Sequence, residues 1–197
     1  MTVSGVGAAA AAASSARATP GLAVPETAAS ALFSFLDGSG TRIVFAESCT
    51  GGLAAATLTE IPGSSRVLWG GVVSYTEEAK TAILGIPQAE IDRFGVVSVE
   101  TAAAMAKGAI AASGSGCASN GGADFAAAVT GYAGPDAPGS EDGPGRVCFA
   151  WASRTGALRT EEKRFEGSRH AVRLAACARL LEGALEFCTE ERGGERY

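Results

Sequence analysis

The chain of 197 residues is 47% hydrophobic and 19% charged, a composition that fits one globular domain with a sizeable core and excludes a chain disordered throughout. Lys and Arg number 16 against 21 Asp and Glu, a net charge of −5, so no chain-wide field attracts nucleic acid or anionic lipid, and an anionic ligand has to meet local cations. No apolar run reaches the ~20 residues of a membrane span, and the five cysteines (Cys49, Cys117, Cys148, Cys177, Cys188) are odd in number with no C-x-x-C pair, which argues against structural zinc and a disulfide framework.

From the amino terminus, Met1 to Thr19 is Ala/Ser-rich with a single Arg17 and no acid, so residues 1–20 are expected to be a flexible leader rather than a secretory signal, and the cytoplasm is the expected compartment. Residues 21–190 are expected to form a single domain and 191–197 a charged tail. Pro25 to Leu36 places Ala28, Leu32, Phe33 and Leu36 at helical spacing, with Asp37-Gly38-Ser39-Gly40 as a stop. Thr41 to Ala46 is short, β-branched and apolar and reads as a buried strand, followed at its carboxyl end by Glu47-Ser48-Cys49-Thr50-Gly51-Gly52 and a helix from about Leu53 to Glu60. Val67 to Tyr75 reads as a second strand, and Thr76 as the cap of a helix whose first turn carries Glu77 and Glu78. A short helix follows Pro87, Ser98 caps an Ala-rich helix through about Ala112, and Ser113 to Gly122 is a surface loop. Asp124 to Thr130, Arg146 to Ser153 and Thr160 to Phe165 supply further strands, and Ser168 to Phe187 a closing helix. Strands alternating with helices predict an α/β fold, a three-layer α/β/α sandwich around a parallel or mixed sheet.

In open α/β sheets the ligand site lies beyond the carboxyl ends of the strands, and the turns carrying Ser48 and Lys80 both fall there. A serine before two glycines exposes its hydroxyl, while the amides of the helix N-terminus that follows suit an oxyanion or a phosphate. Serine is a poor nucleophile without a base. The sole histidine, His170, lies far along the chain beside arginines and gives a Ser-His-Asp triad little support. Lys80 is the other candidate, because a desolvated lysine loses its proton near neutral pH, with Tyr75 placed to relay the proton or hold the amine. Taken alone, these residue types more often cap, pack or face solvent. Cys49, next to Ser48, is a rival nucleophile that reads better as a small core residue.

Several stretches in order decide between these readings: A-E-S-C-T-G-G (Ala46 to Gly52), P-G-S-S (Pro62 to Ser65), G-G-V-V-S-Y-T-E-E-A-K (Gly70 to Lys80), L-G-I-P (Leu84 to Pro87), G-V-V-S-V-E (Gly95 to Glu100), V-T-G-Y-A-G-P (Val129 to Pro135) and F-E-G-S-R-H-A-V-R (Phe165 to Arg173). With them the chain resembles the nicotinamide-nucleotide amidases, similar to the C-terminal domain of the competence/damage-inducible protein CinA. The resemblance implies deamidation of nicotinamide mononucleotide to nicotinate mononucleotide and ammonia by a Ser-Lys type mechanism. Ser48 would be the nucleophile, Lys80 the base and Tyr75 its helper. Glu47, Thr50, Gly51, Gly52, Thr130, Gly131 and Arg169 would bind substrate, Arg169 through its phosphate. No cofactor and no metal is implied. The expected partner is a small nucleotide, not nucleic acid or membrane, and the Ala-rich helices predict a homo-oligomer. Where the family reads E-K-P-V-G-T-V this chain has Glu141-Asp142-Gly143-Pro144-Gly145-Arg146-Val147, losing a lysine and gaining an acid. That departure motivates the alternative of a nucleotide-binding regulatory module with little or no catalysis.

Overall fold

The computed structural model describes residues 24–114, 121–134 and 143–194; the predicted leader, most of the 113–122 loop, residues 141 and 142 and the last three residues lie outside them. A five-stranded mixed sheet of order β2-β1-β3-β4-β5 is built from β1 (Ile43–Glu47), β2 (Leu68–Val73), β3 (Phe125–Gly131), β4 (Arg146–Ser153) and β5 (Leu158–Arg164). The strands β2, β1 and β3 run parallel, and β4 and β5 continue the sheet antiparallel. One face packs on α1 (Pro25–Ser39), α2 (Leu53–Thr59) and α6 (Arg169–Gly194), the other on α3 (Glu77–Leu84), α4 (Gln88–Phe94) and α5 (Val99–Gly114). The α/β sandwich expected from the alternation of elements is the observed fold.

The two halves of the core have different characters. Towards α1 and α6 it is built of large side chains: Leu32, Phe45, Phe149, Trp151 and Leu181 are fully buried. Trp151 stacks on Phe149 at 5.8 Å between ring centroids, donates its indole N–H to the Leu180 carbonyl at 3.0 Å, and leaves no room for a side chain at Gly183. Towards α5 it is built of small ones, with Ala126 and Ala128 of β3 meeting Ala102, Ala106 and Ala109 of α5. Small residues on both sides let helix and sheet approach closely, which is how an Ala-rich sequence makes a dense interior.

Local signals account for the element boundaries. Pro25 begins α1 at a position that needs no N–H, and Gly40, with φ of 66°, ends it at Ser39, three residues beyond the predicted last residue Leu36 and at the end of the predicted Asp37-Gly38-Ser39-Gly40 stop. Gly38 is therefore helical. Thr76 accepts from the Ala79 amide at 3.2 Å and Ser98 from that of Thr101 at 3.0 Å, the two caps expected. The second strand is shorter than predicted, since Ser74 and Tyr75 already lead into α3. The closing helix is longer: residues 191–194, expected in a charged tail, continue α6, and Arg192 reaches the Ser39 carbonyl at 2.7 Å, serving the open C-terminal end of α1.

Candidate active site

The parallel strands β1 and β2 deliver their carboxyl ends side by side, with Glu47 in register with Val73 on one flank and Val129 on the other. Because side chains alternate across a strand, Glu47 shares the face of Phe45 towards α2, and Ser48 turns to the opposite face towards α3. There the Lys80 amine lies 3.1 Å from the Ser48 hydroxyl and donates to the Ser74 carbonyl at 2.9 Å. The predicted pair, 32 residues apart in sequence, is thus within hydrogen-bonding reach.

Lys80 is fully buried, and burial lowers its pKa from 10.5 to about 8, opposed by the electrostatic attraction of Cys49 and Glu77. An amine so placed is neutral often enough near pH 8 to accept a proton. Ser48 is only 6% exposed. Cys49 is core, as expected: it is buried, and burial pushes its thiol up to about 12, which leaves negligible thiolate at neutral pH. His170 is exposed on the first turn of α6.

The turn between Ser48 and α2 is held from both sides. The Glu47 carboxylate is 1% exposed and accepts the amides of Gly52 at 3.0 Å, Ala54 at 3.2 Å and Ala55 at 3.0 Å. Glu47 was expected among the substrate-binding residues; its oxygens instead serve the N–H groups that the first turn of α2 leaves without helical partners. Gly51 and Gly52 have φ of 66° and 92°, which only glycine adopts easily. Their amides, expected to receive an oxyanion, are already bound, that of Gly51 by the Ser48 carbonyl at 3.1 Å and that of Gly52 by Glu47. Of the three amides expected there, only that of Thr50 is left. From α6, Arg173 donates to the carbonyls of Cys49 at 3.1 Å and Thr50 at 2.8 Å. Sequence reasoning gave Arg173 no role, although it closes the F-E-G-S-R-H-A-V-R stretch.

The other expected residues fall in two groups. Arg169 donates to the Tyr75 hydroxyl at 2.7 Å and lies against Gly134, where a Cβ would come within 3.3 Å of its guanidinium. Tyr75 is 55% exposed, and its partner is this arginine rather than Lys80; the carbonyl of Ser74, which the sequence did not single out, holds the amine in its place. Thr130 donates to the Val96 carbonyl at 2.9 Å, and Gly131 is glycine because a Cβ would sit 2.9 Å from the Arg146 carbonyl of the neighbouring strand. A hollow of about 510 Å³ lies elsewhere, between the end of α3, α4 and α5, and its lining, including Leu84, Pro87, Phe94 and Lys107, contains none of the expected site residues.

Residues 25–188 match the model of the CinA C-terminal domain. Relatives named nicotinamide-nucleotide amidohydrolase PncC are 39% identical in Enterobacter agglomerans and 40% identical in Pseudomonas putida, each over 76% of this chain and 87% and 88% of their own length. A CinA-like protein of Akkermansia muciniphila is 43% identical over 74% of the chain, which spans only 33% of that longer protein. Among solved structures, the competence damage-inducible protein A of Klebsiella pneumoniae aligns with a TM-score of 0.77 at 30% identity, covering 85% of this chain and 98% of that one. The competence/damage inducible protein of Agrobacterium tumefaciens aligns at 0.72 with 38% identity over 85% and 95%.

Proposed function

The chain belongs to the CinA C-terminal domain family, and on that premise we propose that it is an amidohydrolase converting nicotinamide mononucleotide to nicotinate mononucleotide and ammonia. The observation that carries the reading is the 3.1 Å approach of the Lys80 amine to the Ser48 hydroxyl at the carboxyl ends of β1 and β2. The near full-length similarity to proteins named nicotinamide-nucleotide amidohydrolase supports nicotinamide mononucleotide as the substrate.

Neutral Lys80 takes the proton of the Ser48 hydroxyl as the oxygen forms a bond to the carboxamide carbon. The negative charge that develops on the carbonyl oxygen is met by amide dipoles of the turn, with Thr50 N–H the free one among those expected. The carbon–nitrogen bond then breaks, the nitrogen takes the proton held by Lys80, and ammonia leaves. Water attacks the resulting ester, Lys80 accepts its proton, and nicotinate mononucleotide departs as the Ser48 oxygen regains a hydrogen. Glu47 and Arg173 act through the backbone of the nucleophile turn. Arg169, joined to Tyr75, supplies a guanidinium for the phosphate, a local cation that a chain of net charge −5 requires.

The test is ammonia release from nicotinamide mononucleotide by the purified chain. Ser48→Ala should abolish it and Lys80→Met should lower kcat by at least ~10³-fold. Wild-type turnover in Ser48→Ala would reject the assignment. Nucleotide binding by calorimetry with no ammonia from the unaltered chain would favour the regulatory module instead.

A further inference from the structure

The parallel strands end in a row of hydroxyls. One step beyond the paired Val73, Glu47 and Val129 come Ser74, Ser48 and Thr130, all on the face towards α3 and α5 by the alternation of their strands. Two of the three hydroxyls are engaged, that of Thr130 with the Val96 carbonyl and that of Ser48 with Lys80. The third is not: the Ser74 hydroxyl is completely buried and has no hydrogen-bond partner, although the carbonyl of the same residue accepts from the Lys80 amine at 2.9 Å.

We propose that Ser74 is a positioning residue, its hydroxyl turning to accept a hydrogen bond from Lys80 when that amine takes up the proton of Ser48. The inference rests on the Ser48–Lys80 reading above. A neutral amine has one lone pair and two N–H groups; in that form the lone pair would accept from the Ser48 hydroxyl 3.1 Å away while one N–H is held by the Ser74 carbonyl. After proton transfer there are three N–H groups. The Ser48 oxygen and the Ser74 carbonyl take two, and the third is left in a buried site where an unpartnered charged donor is strongly disfavoured. The Ser74 hydroxyl is a spare acceptor on the residue whose carbonyl already touches the amine, and rotation about its χ1 redirects it; the other buried hydroxyl without a partner, that of Thr50, stands on the turn after Ser48. The groups acting on Lys80 electrostatically are Cys49 from the turn after β1 and Glu77 from its own helix. The charged residues of α5 beside α3, Glu100 and Lys107, line the separate hollow at Leu84.

The test compares Ser74→Ala and Ser74→Thr with the unaltered full chain in two measurements. One is the titration of the Lys80 side chain by NMR without substrate, the other kcat and KM for ammonia release from nicotinamide mononucleotide. Loss of the acceptor in Ser74→Ala should move the Lys80 midpoint down by about one pH unit and lower kcat about tenfold with KM little changed. Ser74→Thr, which keeps the hydroxyl, should restore both. An unchanged midpoint overturns the inference, and so does a rise towards that of a free lysine, the result if alanine merely loosens packing and admits water. Should Ser74→Ala fail to fold, Ser74→Cys keeps the volume with a poor acceptor and should lower the midpoint in the same direction. The titration needs no turnover, so an inactive unaltered chain would defeat the amidase reading alone, and an unchanged midpoint in an active one would defeat only this inference.

Discussion

At the scale of single residues, Lys80 is the group whose chemistry and stability are set against each other. Its amine is buried among groups that do not neutralise it, so its charged form is disfavoured in the folded chain, and the fall from 10.5 to about 8 corresponds to ~3 kcal/mol. The sign follows from proton counts. Below pH 8 both folded and unfolded chains hold the proton and the penalty is complete; between 8 and 10.5 only the unfolded chain holds it, so stability rises with pH; above 10.5 the penalty is gone. Denaturant unfolding of Lys80→Met and the unaltered chain should therefore show a difference that moves in favour of the unaltered chain across that window. A flat difference would mean that the amine is not desolvated. On the proposed mechanism the neutral form is the base, so kcat/KM should climb with pH to a plateau above about 8. A profile already flat from pH 6 would contradict Lys80 as the base.

At the scale of elements, the short helix α2 depends on a residue outside it. Seven residues are too few to hold a helix by themselves, and its first-turn amides are tied to the Glu47 carboxylate, the last residue of β1. Glu47→Ala would leave those amides buried without an acceptor, a loss on the order of 3 kcal/mol. For a chain of this size that amounts to a fall in Tm of roughly 6–12 °C. Glu47→Gln, which keeps one acceptor oxygen, should lose less. If Glu47→Ala raised KM without lowering Tm, the residue would be a substrate ligand after all. The family resemblance implied a substrate ligand at Glu47. Only the placement of α2 reveals that its partners are backbone.

At the scale of the whole molecule, both helical layers share one sheet, and strands such as β3 bury side chains on both faces. Loss of either layer exposes the sheet that the other needs, so unfolding should be a single cooperative transition. The two tryptophans report on different layers, Trp151 within the α1/α6 side and Trp69 packed on the α3/α5 side. Fluorescence of a Trp69→Phe variant, seeing Trp151 alone, should follow the same curve as that of Trp151→Phe and as far-UV circular dichroism of each. Separated midpoints within one variant would show the layers melting independently. Among the described residues no helix is long and apolar enough to cross a membrane.

The α/β sandwich, the caps at Thr76 and Ser98, and the turns bearing Ser48 and Lys80 were legible in the sequence, because hydrophobic period, cap chemistry and glycine-dependent turns are local properties of the chain. Local signals extend no further than a turn or a strand. Register alone decided that Ser48, Ser74 and Thr130 stand in one row, and the docking of α6 alone decided that Arg173 pins the turn carrying Ser48 and that Tyr75 meets Arg169 rather than Lys80. Which atoms of Glu47, Gly51 and Gly52 remain available to a ligand was likewise settled by folding: a backbone amide takes whatever acceptor the folded turn brings within hydrogen-bonding reach, and residue type along the chain does not encode that partner.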